Sequence, residues 1–117
     1  MRSISKIRVS VKRDFREWLE STHQRLLNFP YTPRPVIVCN DGFSMSVQGG
    51  VYAYSSPREL VTNFTEMEIG FPSHYEELIR GYAETDEYTN TVYPYVPVSL
   101  IIEVIEKHGG IKKIRKK

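Results

Sequence analysis

The chain lacks the residues needed for a disulfide framework, because it has a single cysteine, Cys39, among 117 residues. One thiol excludes an internal disulfide and is typical of proteins from a reducing cytoplasm. No apolar run approaches the roughly 20 residues of a membrane-spanning helix, and the amino terminus has no apolar signal segment. We therefore expect a cytoplasmic protein with no membrane partner, in which Cys39 is a small buried side chain.

Motifs for catalysis and metal binding are also missing. The three histidines, His23, His74 and His108, are too widely spaced for a metal-binding motif, and we expect neither a metal nor a cofactor. The chain has no nucleophile elbow and no phosphate-cradling glycine loop, so it gives no positive sign of an enzyme. A small hydrolase using the carboxylates of Glu66, Glu68 and Asp41 stays open, although a solvent-facing sheet surface explains these residues more simply.

Positive charge is scarce in the middle of the chain and abundant at both ends. Residues 1–34 carry eight basic and three acidic residues, and residues 107–117 carry six basic residues and no acidic one. Residues 35–106 carry two basic and eleven acidic residues. This distribution favours self-association, docking of the ends on the middle, or nucleic-acid contacts through the basic termini. Solvated basic tails are the simpler interpretation.

The clearest structural signal is a β-hairpin centred on Asp41-Gly42. A two-residue turn at this dipeptide, in which glycine takes a positive φ, would place Val38 opposite Met45. Side chains then divide between two faces. The predicted apolar face contains Val36, Val38, Phe43, Met45 and Val47 beside Asn40, and the opposite face contains Ile37, Cys39, Ser44, Ser46 and Gln48.

Hydrophobic periodicity predicts further strands and three helices around this hairpin. The helix over 14–27 has an apolar stripe, and Ser73 with Glu76 has the spacing of a capping box for a second helix. Pro94 restricts its strand to a sheet edge or a bulge, and Gly109-Gly110 would end the last helix. The expected strands are 3–11, 51–54, 63–69 and 92–96, and the expected helices are 14–27, 74–83 and 97–108.

These elements predict a single α+β domain, with a small antiparallel sheet built on the central hairpin and helices at the amino-terminal, middle and carboxy-terminal positions. Residues 1–34 would form an extension with a proline-rich linker, 35–110 the core, and 111–117 a basic tail that frays. An exposed edge strand at 92–96 and a tyrosine-rich surface favour burial against another chain. We therefore also expect a homo-oligomer.

One group of side chains points to a small-molecule site. Tyrosines stack on flat rings, and arginine binds phosphate or carboxylate through two N–H groups. Short polar side chains of the hairpin could complete a pocket for a nucleotide-like ligand, although alternating tyrosines on a sheet are the simpler explanation. The candidate ligand-binding residues are Asn40, Ser44, Ser46, Tyr54, Arg58, Tyr93 and Tyr95.

A series of motifs resembles a family of small accessory proteins of tailed phages and prophages. The series runs through 35–110 as DGFSMSVQ (41–48), Tyr54 with Pro57, EIGFPS (68–73), YAE (82–84), TVYPYVP (91–97) and HGG (108–110). The chain differs in carrying Ser55 where the family tends to have cysteine, and residues 1–34 lie outside the resemblance. The resemblance implies a phage-encoded, non-enzymatic protein of the host cytoplasm that counters host defence. Such a protein would sequester a nucleotide-like signal molecule or block a host protein.

Overall fold

The computed structural model describes the backbone of residues 4–113 and the side chains of residues 10–113. Four antiparallel strands form one sheet in the order β1-β2-β3-β4, which confirms the predicted α+β class. None of the helices in this described part is long and apolar enough to cross a membrane. The elements are α1 (Ile4–Asn28), β1 (Ile37–Val38), β2 (Ser44–Gln48), β3 (Glu66–Gly70), a 3-10 helix (Glu77–Tyr82), β4 (Val92–Pro97) and α2 (Val98–Lys107).

The core lies between one face of the sheet and the two α-helices. It is a single cluster of buried apolar side chains from the helices and all four strands. Alternate residues of β2 and β3 are buried, while Ser44, Ser46, Gln48, Glu66 and Glu68 between them are half-buried. The sheet therefore has one dry face and one polar face, the arrangement expected for an antiparallel sheet covered on one side.

The chain is helical from Ile4 onward, so the strand predicted for 3–11 is wrong over 4–11, and residue 3 lies outside the described residues. Ile4, Ile7 and Val11 recur at the helical spacing that Phe15 and Leu19 continue, and the apparent alternation of residues 7–11 is weaker than this pattern. The predicted stripe over 14–27 is confirmed, because Phe15, Leu19, Thr22 and Leu26 are all buried.

The central hairpin is present, but its predicted register is wrong by one residue. Ile37 pairs with Met45, and the Cys39 N–H donates to the Phe43 carbonyl at 2.7 Å. The loop therefore contains three residues, 40–42, and its glycine adopts φ 96°. A shift of one residue reverses the faces of one strand. Ile37 and Cys39 are buried as a result, whereas Val36 is 55% and Val38 40% exposed.

The segment between β2 and β4 also departs from prediction. Residues 51–54 form turns and bends instead of a strand. The expected helix over 74–83 is a shorter 3-10 helix that begins after Glu76, whose carboxylate accepts a hydrogen bond from the Leu78 N–H at 2.8 Å. Ser73 does not cap this helix, because its hydroxyl instead accepts a hydrogen bond from the Ser44 N–H.

Strand β4 lies at the sheet edge and is irregular at Pro94, as predicted. Its register against β3 shifts between the Met67–Val96 and Ile69–Tyr93 pairs, and Tyr95 adopts φ 53°. Backbone hydrogen bonds within the chain partly cover this edge. The Tyr54 carbonyl accepts one from the Tyr95 N–H, and the Glu84 N–H donates one to the Val92 carbonyl. Homo-oligomerisation through this edge stays a prediction.

Helix α2 ends as predicted at Gly109 and Gly110, which adopt φ 87° and 91°. The Gly110 N–H donates to the Ile105 carbonyl, and the Gly109 N–H donates to the Glu106 carbonyl. This pair of bonds is the Schellman motif. The chain then continues along β1, where the Lys112 N–H donates to the Val38 carbonyl at 2.8 Å. The tail predicted to fray from 111 is therefore attached over 111–113, and 114–117 lie outside the described residues.

Replacing Gly49 with alanine is expected to lower the free energy of unfolding by about 1–3 kcal/mol, as overpacking of a core does. A Cβ atom at Gly49 would lie 2.8 Å from the Phe64 ring and 2.9 Å from the Met67 methyl, and both side chains are buried. Gly81 is the matched control, because a Cβ there meets no atom within 4 Å. Urea unfolding of both variants measures the difference, and equal effects would contradict the packing described here.

Candidate functional site

A cavity of about 230 Å³ opens between the proline-rich segment after α1 and the loop after β2. Tyr31 and Tyr52 line it and are highly exposed, with ring centroids 5.3 Å apart, so they mark its mouth. A hydrogen bond with Tyr31 raises the pKa of the Tyr52 hydroxyl. The lining residues are Leu26, Pro30, Tyr31, Thr32, Pro33, Gln48, Gly49, Gly50, Val51, Tyr52, Ala53, Leu60 and Glu68.

Arg34 and Gln48 hold the walls of this cavity together. The Gln48 side chain accepts a hydrogen bond from the Arg34 N–H at 2.9 Å and donates one to the Arg34 carbonyl at 3.0 Å. The Arg34 guanidinium donates through Nη1 to the Gly49 carbonyl and through Nε to the Thr22 hydroxyl. The proline-rich segment is thus attached both to the loop after β2 and to α1.

Arg34 is itself an unusual buried charge. Its side chain is only 3% exposed and lies over the Phe64 ring at 5.7 Å. In the described part of the chain, no carboxylate forms an ion pair with it, and its Nη2 has no hydrogen-bond partner. Burial lowers the pKa of this guanidinium to about 10, so it stays charged at neutral pH. This buried cation is not among the residues predicted from the sequence, where its only signal is a single cation within an apolar, proline-rich segment.

Three of the seven predicted ligand-binding residues come together beside the cavity, and we call Tyr54, Arg58 and Tyr95 the tyrosine–arginine cluster. The rings of Tyr54 and Tyr95 are 5.9 Å apart, and the Arg58 guanidinium carbon lies 5.4 Å from the Tyr54 ring centroid. The rings are 42% and 37% exposed, and Arg58 is exposed. The Tyr54 N–H donates to Glu68, which also lines the cavity, so the cluster and the cavity share a wall.

The other four predicted residues lie elsewhere. Tyr93 is fully buried, and its hydroxyl donates to the Tyr88 carbonyl, with burial as the main cause of a raised pKa. Asn40 donates to the Gly109 carbonyl at the hairpin tip. Ser44 and Ser46 lie on the polar face of β2, where the Ser46 hydroxyl accepts a hydrogen bond from Gln48. None of the seven predicted residues, the tyrosine–arginine cluster included, is among the residues that line the cavity.

The three carboxylates considered for hydrolysis do not form one group. Glu66 accepts a hydrogen bond from the Ser56 hydroxyl at 2.8 Å, and Glu68 accepts one from the Tyr54 N–H at 3.1 Å. Asp41 lies at the hairpin tip, where its carboxylate contacts His108. The two glutamates therefore stabilise the loop after β2, and Asp41 belongs to a different set of contacts.

That second set centres on His108 and was not predicted from the sequence. The ring nitrogens of His108 lie 2.6 Å from carboxylate oxygens of Asp41 and Glu76, and its ring stacks on Phe43 at 4.0 Å. Glu76 is 1% exposed and also accepts a hydrogen bond from Lys107 at 2.9 Å. The His108 ring therefore lies between two carboxylates, with one ring nitrogen within hydrogen-bond distance of each.

The acidic members of this network have shifted pKa values. Burial raises the pKa of Glu76, but hydrogen bonds from Leu78, Lys107 and His108 outweigh it and hold the pKa below its usual range. The Phe43 N–H, followed by His108, lowers the pKa of Asp41. In the part of the chain that the structure covers, no group of three or more potential ligands is arranged to hold a metal ion. Through the contacts of Lys107 and His108, the network joins the carboxy-terminal end of α2 to the hairpin tip at Asp41 and to Glu76 before the 3-10 helix.

Comparisons of the chain with protein-family models, with curated proteins and with solved structures found no match. The features of the chain that bear on its function are the cavity, the tyrosine–arginine cluster and the charged surfaces.

Proposed function

We propose that this protein is a non-enzymatic binding protein for a nucleotide-like small molecule. The observation that carries the proposal is the shared wall between the cavity and the tyrosine–arginine cluster, formed by Glu68 and the loop residues next to Tyr54. The flat ring of the ligand would enter the cavity, and its anionic group would lie outside, on Arg58. Pockets of this kind combine mostly apolar walls with a few polar groups that orient the ligand.

The cavity has the size and chemistry for a ring. At about 230 Å³ it exceeds the roughly 150 Å³ engineered cavity that holds benzene. Its walls are mostly apolar or aromatic, and the tyrosines at its mouth offer faces for stacking. The Glu68 carboxylate would accept a hydrogen bond from a ring N–H or amino group, which favours a nucleobase over a plain hydrocarbon.

Arg58 is the residue that favours an anionic ligand. In the described part of the chain it forms no ion pair, so the positive charge of its exposed side chain is not matched by a carboxylate. Its position against the Tyr54 ring restrains the guanidinium while leaving N–H groups for a phosphate or carboxylate. A nucleotide would satisfy both the ring site and this cation.

The biological role follows from the resemblance to phage accessory proteins. A phage protein that holds a nucleotide signal removes it from a host defence system without chemical turnover. Blocking a host protein directly is the other form of this role. The two forms separate in one experiment, because only the first requires a nucleotide to bind the purified chain.

A nucleotide ligand at about 100 times its dissociation constant is expected to add about 2.7 kcal/mol of stability. For a domain of this size the melting temperature would rise by roughly 10 °C. The measurement is a thermal-shift screen against linear and cyclic nucleotides. Arg58→Ala should remove most of the shift. Arg80→Ala is the matched control, because Arg80 lies over Tyr88 at 5.9 Å, away from the cavity lining.

Two outcomes would contradict the proposal. One is the absence of a shift with every nucleotide in the screen. The other is a shift that Arg58→Ala and Arg80→Ala reduce equally, because a general loss of positive charge would then explain it. Comparing adenosine with adenosine monophosphate separates the ring site from the anion site. Only the additional thermal shift that the phosphate group causes should depend on Arg58.

A further inference from the structure

Described residues from the two basic segments, 10–16 and 110–113, lie next to each other in the folded chain. Gly110 packs against α1, where a Cβ atom added to it would lie 3.7 Å from Val11. Two residues beyond Ile111, the Lys113 ammonium forms an ion pair with Asp14 of α1 at 3.2 Å. Residues 10–16 of α1 and residues 111–113 therefore form one continuous surface, although they are about a hundred residues apart in sequence.

Cations dominate this surface, which we call the basic surface. Lys12, Arg13, Arg16, Lys112 and Lys113 are exposed there. The acidic residues among them are Asp14, which is half-buried and paired with Lys113 and more distantly with Arg13, and Glu17. Lys12 and Arg16 are one helical turn apart, so their Cα atoms lie about 6 Å apart along a rigid axis.

We infer that the basic surface binds the phosphate backbone of duplex nucleic acid. A duplex presents about one negative charge per 1.7 Å of its axis, so cations at this density face several phosphates. The only aromatic residue within 10–16 and 111–113 is Phe15, which is buried in the core. Single strands are held largely by aromatic stacking, so the surface suits a duplex and reads no sequence.

This inference is independent of the nucleotide site. The cavity lies at the opposite end of α1, where Leu26 lines it, and its lining residues include none of the five cations. Absence of duplex binding would not affect the nucleotide proposal, and absence of nucleotide binding would not affect the proposal for the basic surface.

Binding of a fluorescent random-sequence DNA duplex, followed by anisotropy, tests the inference. With about four phosphates neutralised, affinity should fall about 100-fold between about 50 and 200 mM salt. Lys12→Glu/Arg16→Glu should weaken binding at low salt at least about tenfold and flatten the salt dependence. Arg25→Glu/Arg80→Glu is the matched control, with the same change in net charge at exposed positions outside the basic surface.

Equal loss of affinity in the two double variants would overturn the inference, because net charge alone would then be responsible. Absence of duplex binding by the wild-type chain at low salt would also overturn it. If the wild type instead forms salt-sensitive oligomers that Lys12→Glu/Arg16→Glu disperses, the basic surface binds the acidic middle of another copy and the inference fails. Circular dichroism confirms that each variant keeps its helices.

Discussion

Replacing Glu76 with alanine is expected to lower the free energy of unfolding by about 3 kcal/mol. Glu76 is almost fully buried, and its two oxygens accept hydrogen bonds from the Leu78 N–H, Lys107 and His108. The substitution leaves the Leu78 N–H and the His108 ring without a buried hydrogen-bond partner, which is the larger part of the cost. Lys107 is about half exposed, so water replaces its lost partner.

Two further variants separate charge from packing in this network. Glu76→Gln keeps the volume and one acceptor, so we expect it to cost roughly 1–2 kcal/mol. Lys107→Ala should cost less than about 1 kcal/mol, because its ion pair is partly exposed. Urea unfolding at neutral pH measures all three. If Lys107→Ala cost as much as Glu76→Ala, the burial of Glu76 would not be the reason for its importance.

The pH dependence of stability provides a second readout of Glu76→Ala. Glu76 and Asp41 have pKa values below their usual range in the folded chain. Their contribution is therefore present above the unfolded values near pH 4 and is lost as the pH falls through the folded values. The wild type should lose stability steeply below about pH 4, and Glu76→Ala should lose less. An unchanged acid limb in the variant would contradict this account.

The α-helices and the fold class could be predicted because their signals are local. The stripe from Phe15 to Leu26 repeats over several turns, and Gly109-Gly110 marks the end of α2 in the sequence itself. Ile7, Val9 and Val11 alternate as in a strand, but Val11 also has the helical spacing to Phe15, and this second pattern decides the structure. Helical and extended periods overlap in so short a segment.

The hairpin register could not be derived from the sequence of the turn. Asn40-Asp41-Gly42 is compatible with a two-residue turn and with a three-residue loop that ends in a left-handed glycine. Contacts far along the chain favour the second form. The Asp41 carboxylate contacts His108, and the Asn40 side chain donates to Gly109. Neither contact can be seen in a window of ten residues.

The candidate site was predictable where its residues are near in sequence. Tyr54 and Arg58 belong to one loop, and their contact follows from that loop. Tyr93 and Tyr95 would share a face in a regular strand. The irregularity of β4 at Pro94 buries one of them and exposes the other. The cavity itself was not predicted, because four separate segments form its walls.

The revised register makes a large and specific prediction for Ile37, which is buried, and Val36, which is 55% exposed. Ile37→Ala is expected to lower the free energy of unfolding by about 2–5 kcal/mol, because it removes core methyl groups and leaves a cavity. Val36→Ala should change it by about 0.5 kcal/mol or less, as surface substitutions do. Urea unfolding of these neighbouring variants measures the difference.

The two-residue turn predicts the opposite ranking, since it would place Val36 in the core and Ile37 on the polar face. Aspartate substitutions at Val38 and Cys39 distinguish the two registers in the same way. Cys39→Asp should prevent folding at neutral pH, because Cys39 is fully buried and an isolated carboxylate there has no partner. Val38→Asp should fold, since Val38 is 40% exposed. A folded Cys39→Asp beside an unfolded Val38→Asp would restore the two-residue turn, with Val36 and Val38 facing the core.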